Sequence, residues 1–283
     1  MSVTVTERSA TRGGGRLQNA ISDGLVLTKR NLLTYVRKPD LLVFSTIQPV
    51  MFVLLFVYVF GGAIEAILPP TVPYVDFLMP GIFVQTAIFS ALQTGVGLAE
   101  DLQKGLVDRF RSLPMARSAV LAGRTTADTF AILFQVLLML AVAWLVGFRF
   151  HEGIMEALLA FLGAMSVGYA FTWIAAFTGL SLKSVEAVQA ASFTIVFPFV
   201  FASSAFVPSE SFPHWLQLWA NVNPVSIWVD TFRVLTLGEL YTQNPQAFGH
   251  VASLGTLLTE STAWFLGILA VAVPLSVRVY RRT

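Results

Sequence analysis

The chain has 283 residues, 55% of them hydrophobic and only 12% charged, with a formal net charge of +2 and a mean hydropathy of +0.72. A soluble protein this apolar would be nearly all core with almost no surface, so the composition excludes a soluble domain and points to an integral membrane one. Cysteine is absent, which removes disulfides, thiolate metal sites and cysteine nucleophiles from consideration.

Residues 1–16, with three consecutive glycines and scattered Ser and Thr, read as a disordered cytoplasmic tail. No short apolar run ending in a cleavage site occupies the first forty residues, so the first span is expected to act as its own anchor. Over 17–38, Leu17, Ile21, Leu25, Thr28, Leu32 and Tyr35 recur at helical spacing, while Lys29, Arg30 and Arg37 fall largely elsewhere around the helix. That pattern predicts an amphipathic helix lying on the membrane surface; the surface helix of a soluble cap is the alternative.

Apolar runs long enough to cross a hydrocarbon layer of ~30 Å follow at about 41–62, 76–97, 119–147, 154–177, 188–207 and 251–276. The expected fold is therefore all-α, with six transmembrane helices. The stretch 208–235 is apolar and aromatic but broken by Pro208, Pro213 and Pro224. Because proline interrupts helices and lipid does not tolerate irregular backbone, short re-entrant helices in the outer leaflet are expected there, with Trp215, Trp219 and Trp228 at the interface.

Of the 18 lysines and arginines, all but Arg149 and Arg233 fall before the first span, at 104–124, at Lys183 or after the last span. The positive-inside rule then places both termini in the cytoplasm, as an even number of spans also requires. One membrane domain, 17–283, accounts for the rest of the chain.

No phosphate-cradling G-x-x-x-x-G-K-[ST] run is present, and His151, His214 and His250 lie far apart. The mid-span positions offer mainly Gln48, Gln85 and Gln135 rather than the buried carboxylates of a proton-coupled carrier. Asp76, Asp128, Glu186 and Glu260 near span ends nevertheless keep an ion-coupled carrier open as an alternative, beside a membrane scaffold or enzyme without transport.

Between the second and third spans, Glu100, Asp101, Lys104, Asp108, Arg109, Arg111 and Arg117 place both signs of charge within eighteen residues. Mixed charge of this kind suits docking to a partner by complementarity, although basic residues here also serve topology alone. The loop from Glu100 to Arg117, with Ser112-Leu113-Pro114 and then Gly123-Arg124, resembles that of ABC transporter type-2 permeases, especially the daunorubicin-resistance-like branch. Met79-Pro80-Gly81 is similar to the same family, as are Phe206-Val207-Pro208, Pro213-His214-Trp215 and Asn223-Pro224.

The resemblance implies a six-span permease without its own catalysis, moving a hydrophobic drug, lipid or secondary metabolite outward by alternating access. It implies a separate ATPase subunit in two copies, carrying ATP and Mg, together with a second permease copy or paralogue and no nucleic acid. By the same resemblance, the interfacial helix and the loop residues named above contact the ATPase. The second and fifth spans would line the substrate path with Phe83, Gln85, Thr86, Phe89 and Gln93 facing Phe193, Phe197 and Phe201; a phenylalanine stripe also arises from plain packing. The localisation implied is the bacterial cytoplasmic membrane, with lipids as further partners.

In a chain without cysteine, a single introduced thiol reports its own side of the membrane. Thiols at Glu152, Ser209 and Gln243 are expected to react with an impermeant reagent from outside, and one at Lys104 only from the cytoplasm. Exchange of the Glu152 and Lys104 patterns would overturn the orientation, and opposite sides for Ser209 and Gln243 would make 208–235 a span.

Overall fold

A computed structural model describes residues 39–106, 117–248 and 252–282, and every regular element among them is helical. The tail, the expected interfacial helix with Lys29, Arg30 and Arg37, and Asp108, Arg109 and Arg111 lie outside the described residues.

The first apolar run forms α1 (Pro39–Leu54), a π-helical stretch (Leu55–Phe60) and α2 (Gly61–Glu65). There follow α3 (Tyr74–Gln103), α4 (Arg117–Val146), α5 (Ile154–Leu182) and α6 (Val185–Phe201). The proline-broken region folds as a single 3₁₀ turn (Ser209–Ser211), α7 (His214–Val222), α8 (Pro224–Leu237), α9 (Glu239–Thr242) and α10 (Pro245–Phe248). Helix α11 (Leu254–Arg282) closes the chain. Among the described residues, five helices are long and apolar enough to cross a bilayer, and α6, at 17 residues, is a shorter apolar one.

Helix α3 occupies the centre: 83% of its most apolar window is buried, against 11% for α11. On α11, Trp264, Leu266 and Val271 are exposed, as are Leu145 on α4 and Ile154 on α5. Water would not tolerate so much exposed apolar surface, whereas lipid solvates it, which is the mark of a multi-pass membrane protein.

Lipid tails are as apolar as leucine, so nothing equivalent to the aqueous hydrophobic effect presses two membrane helices together; close packing does so instead. Helices α3 and α5 cross where Gly95 faces Ala175 and Gly179, so closely that a Cβ on either glycine would overlap the other helix's backbone. Gly81 makes the same kind of contact with the backbone of Ala205, which gives the Pro80-Gly81 pair its packing role. Helix α6 turns back after only Lys183 and Ser184: Lys183 adopts a left-handed backbone (φ 58°) and the Ser184 hydroxyl accepts the Ala187 N–H, capping α6.

The segment after α6 is held by buried polar groups. Asn223 donates to the carbonyls of Phe199 (2.8 Å) and Ala202 (3.4 Å), while its Oδ1 caps α8 at the Val225 N–H (2.9 Å). Arg233, fully buried, donates to the carbonyls of Phe77 (3.0 Å), Ser204 (2.7 Å) and Ala205 (3.1 Å) and to Asp230 (3.1 Å). Its guanidinium carbon lies 3.5 Å from the centroid of the Phe77 ring. Asp230 also accepts from Ser204 Oγ (3.1 Å) and Tyr241 Oη (3.0 Å). Arg233 thus tethers α8 to α3 and to the end of α6, and it is a core residue rather than a loop charge.

The three tryptophans of this segment differ in their surroundings. Trp215 is exposed, and Trp219 is half-buried against Phe199. Trp228, expected at the interface, is instead buried beside Phe171 and donates to the Ser261 carbonyl (3.3 Å), because α8 packs among α3, α5 and α11.

Replacing Arg233 by Ala would strip three buried carbonyls of its donors and Asp230 of its counter-charge. Asp230 keeps part of its surface exposed, so the pair itself is worth less than a fully buried one, but each unpaired buried carbonyl costs about 1–3 kcal/mol and a clear fall in the thermal transition of the detergent-purified chain is expected. Asp230→Asn added to Arg233→Ala should recover part of the loss; an unchanged transition in Arg233→Ala would refute the tether.

Candidate functional site

Along α3, Gln85, Phe89 and Gln93 recur every fourth residue and so share one face. That face, with Thr86 and Ser90 beside it, looks onto Gln48 of α1, Gln135 of α4 and Gln189, Ser192 and Phe193 of α6. The four helices enclose a cavity of about 120 Å³. Ser90 hydrogen bonds to Gln135 Oε1 across it. Gln85 Oε1, Thr86 Oγ1 and Ser192 Oγ are buried there without a hydrogen-bond partner. Unpaired polar atoms at such depth are unfavourable, and these three have almost no surface accessible from the cavity.

Of the substrate-path residues expected from sequence, Gln85, Thr86, Phe89, Gln93 and Phe193 meet at this cavity, with the Phe89 and Phe193 rings 5.9 Å apart. Phe83 lies elsewhere, edge-on to Phe148 and lining an apolar cavity of about 300 Å³ with Phe150, Phe161 and Phe232. Phe197 and Phe201 stack on each other at 4.0 Å, and Phe201 continues onto Phe52 and Phe206 in an aromatic ladder against α1. Sequence reasoning noticed Gln48 and Gln135 as mid-span polar residues without assigning them, and it missed Ser90, Gln189 and Ser192. The spacing of Gln189, Ser192 and Phe193, three and four apart, was the available signal.

At its far end α3 is stopped by Gly105, whose positive φ of 66° closes the last turn as Gly105 N–H bonds the Leu102 carbonyl (3.1 Å). Glu100 and Lys104 pair at 2.8 Å on the exposed surface, and the carboxylate holds the Lys104 ammonium above the usual lysine range. Asp101 points elsewhere. Arg124 of α4 reaches it at 3.0 Å and also binds Asp128 at 3.1 Å. The guanidinium passes over Gly97, where any Cβ would overlap it. The acidic charge at Asp101, attributed from sequence to docking, is thus engaged within the chain, clamping α3 to α4. The backbone of Arg117 opens α4.

At the opposite end Asp76 accepts the Arg149 backbone N–H (2.9 Å) and lies 3.6 Å from His151 Nε2, fixing the α4–α5 connection. Asp76 and Asp128, which had kept a carrier open, therefore have structural partners, and among the described residues no ionisable side chain lines the glutamine cavity.

The profile of the ABC-2 type transporter family matches residues 24–237. The chain is 31% identical to the daunorubicin resistance ABC transporter permease protein DrrB1 of Streptomyces coeruleorubidus, over 97% of this chain and 92% of that one. It is 27% identical to the probable doxorubicin resistance ABC transporter permease protein DrrC of Mycobacterium tuberculosis, over 99% and 98% respectively. Against the putative transport permease ycf38 of Porphyra purpurea it is 27% identical over 74% of this chain and 72% of that one. With well over half of its length inside the family match and an all-helical multi-span fold, the chain belongs to the ABC-2 type transporter family.

Proposed function

We propose that the chain is the membrane permease subunit of an ATP-driven exporter that moves a hydrophobic drug, lipid or secondary metabolite out of the cell. The chemistry of ATP and Mg belongs to a separate ATPase subunit, present in two copies, and two permeases, identical or paralogous, face each other around the path. The chain spans the bacterial cytoplasmic membrane six times with both termini inside, α6 being the shortest span and α7 and α8 forming the re-entrant pair. At 9 and 14 residues, α7 and α8 reach only about 14 and 21 Å, short of a ~30 Å hydrocarbon layer.

The observation that carries this reading is helix α3. Its thirty residues, about 45 Å long, carry both the glutamine face and the exposed Glu100–Lys104 tip on one helix. The Asp101–Arg124–Asp128 clamp ties that tip to α4, which contributes Gln135 to the same cavity. A force applied by a partner at the tip and the Asp108–Arg117 loop moves both walls together. The cavity switches sides only as the helices around it shift, and among the described residues no titrating group lines it to supply coupling to an ion.

The interfacial residues Lys29, Arg30 and Arg37, and Asp108, Arg109, Arg111 and Arg117, complete the proposed contact with the ATPase. An exposed interfacial charge pair is worth only ~0.2–1 kcal/mol, so single reversals are expected to be weak. Arg109→Glu with Arg111→Glu should lower ATPase retention on purification and ATP-driven daunorubicin efflux from vesicles severalfold, at normal expression. Normal efflux from the double variant would remove the loop from coupling; efflux driven by a proton gradient without ATP would favour a carrier.

A further inference from the structure

Two apolar clefts flank the end of α4 that the proposed orientation places outside, and transport through the glutamine cavity uses neither. One, of about 300 Å³, lies among α3, α4, α5 and α8; the other, of about 610 Å³, runs along α4 past Trp144 to Arg149. They adjoin at Leu137, Leu140 and Phe150, which line both. Among the described residues, Thr236 alone brings a polar side chain to the first, where its hydroxyl donates to the Phe232 carbonyl (2.8 Å), and Arg149 alone brings a charge to the second. Arg149 is held in a set pose. Its Nη1 donates to the carbonyls of Trp144 (3.0 Å) and Phe148 (2.7 Å), and its guanidinium carbon lies 5.2 Å from the centroid of the Trp144 ring. Among the described residues nothing accepts from its Nε or Nη2, the edge of a guanidinium that grips two oxygens of one phosphate. No described carboxylate pairs with that edge either, since Asp76 takes the Arg149 backbone N–H and lies beside His151.

We propose that this site holds a phospholipid of the outer leaflet, its phosphate diester on the Nε–Nη2 edge of Arg149 and its acyl chains in the two clefts. Charge complementarity picks the occupant. Any carbon chain suits the two linings, but the ionic group at their edge is a cation with a bidentate edge to spare, so the ligand that satisfies the whole site carries an anion above its chains. The level agrees, because the exposed Trp144 marks the headgroup region, where phosphates sit. Two carbonyl bonds already fix the guanidinium, so little side-chain freedom is lost on binding. A neutral glyceride or a cationic amphiphile fills the same clefts but leaves that edge to water. Assignment to the outer leaflet rests on the proposed orientation, whereas the preference for a phosphate does not.

The test uses the full chain with its ATPase subunit in dodecyl maltoside micelles, which contain no phosphate. Two probes carry the same diazirine-bearing acyl chains, one a phosphatidylglycerol and the other a diacylglycerol, and cross-links are mapped by mass spectrometry. Labelling of residues 137–161 by the phosphatidylglycerol is expected to exceed that by the diacylglycerol about tenfold, the effect of roughly one charge-assisted hydrogen bond. Both probes should label the lipid-facing turn of α11 around Trp264 and Leu266 equally. Arg149→Gln should bring phosphatidylglycerol labelling of the clefts down to the diacylglycerol level. Ala157→Trp, which narrows the first cleft and leaves Arg149 in place, should lower labelling of α5 by both probes severalfold. Equal labelling of the clefts by the two probes, a preference surviving Arg149→Gln, or α5 labelling unchanged by Ala157→Trp would each overturn the proposal. So would clefts labelled by phosphatidylglycerol no more than α11, the result expected if the second permease covers this face. Failure of the orientation is seen separately in the thiol reactivity at Glu152 and Lys104, and failure of the export reading in the absence of ATP-driven efflux from vesicles holding the same complex.

Discussion

Contact between the backbones of α3 and α5 at Gly95 and Gly179 sets the position of nearly everything else. With no side chain between them, α3 sinks to the axis of the bundle, where α4, α6, α8 and α1 also pack against it. A helix so placed shows little of itself to lipid, and its polar face is free to carry amides that would be unfavourable on a lipid-facing helix. The same central position makes its charged end a natural handle, since displacement there is felt by most of the neighbouring helices. The Arg124 clamp works on the same logic of small residues: Gly97 leaves the notch through which the guanidinium reaches Asp101.

A second constraint comes from the requirement that backbone polar groups at bilayer depth be satisfied within the protein. The chain ends α6 at Phe201 and restarts a helix at His214, which exposes carbonyls at Phe199, Ala202, Ser204 and Ala205. Asn223 and Arg233 supply the donors, and the Asn223-Pro224 pair also caps and starts α8. The proline-rich break is therefore an ordered turn-back, held by side chains from the helix that follows it.

Much of the architecture was legible because membrane helices announce themselves by length and apolarity, without needing a periodic pattern. The π stretch at Leu55–Phe60 was not, since nothing in Leu-Phe-Val-Tyr-Val-Phe distinguishes i+5 from i+4 bonding. Trp228 misled because tryptophan suits both an interface and a core, and only the packing of α8 decides between them. Gln48, Gln85 and Gln135 stood out as polar residues in apolar runs, but their convergence depends on the rotation of three separate helices. For Asp101 the deciding partner sits 23 residues later, beyond what a local charge pattern conveys.

If α3 is the lever between the ATPase and the cavity, the state of bound nucleotide must be readable at the cavity wall. A thiol at Gln93, alone in a chain that has no cysteine, reports this directly in the reconstituted complex. Its maleimide labelling rate should change severalfold between nucleotide-free and vanadate-trapped complex, while a thiol at lipid-facing Leu266 on α11 keeps its rate. Equal rates at Gln93 in both states, in a complex that hydrolyses ATP, would contradict the account.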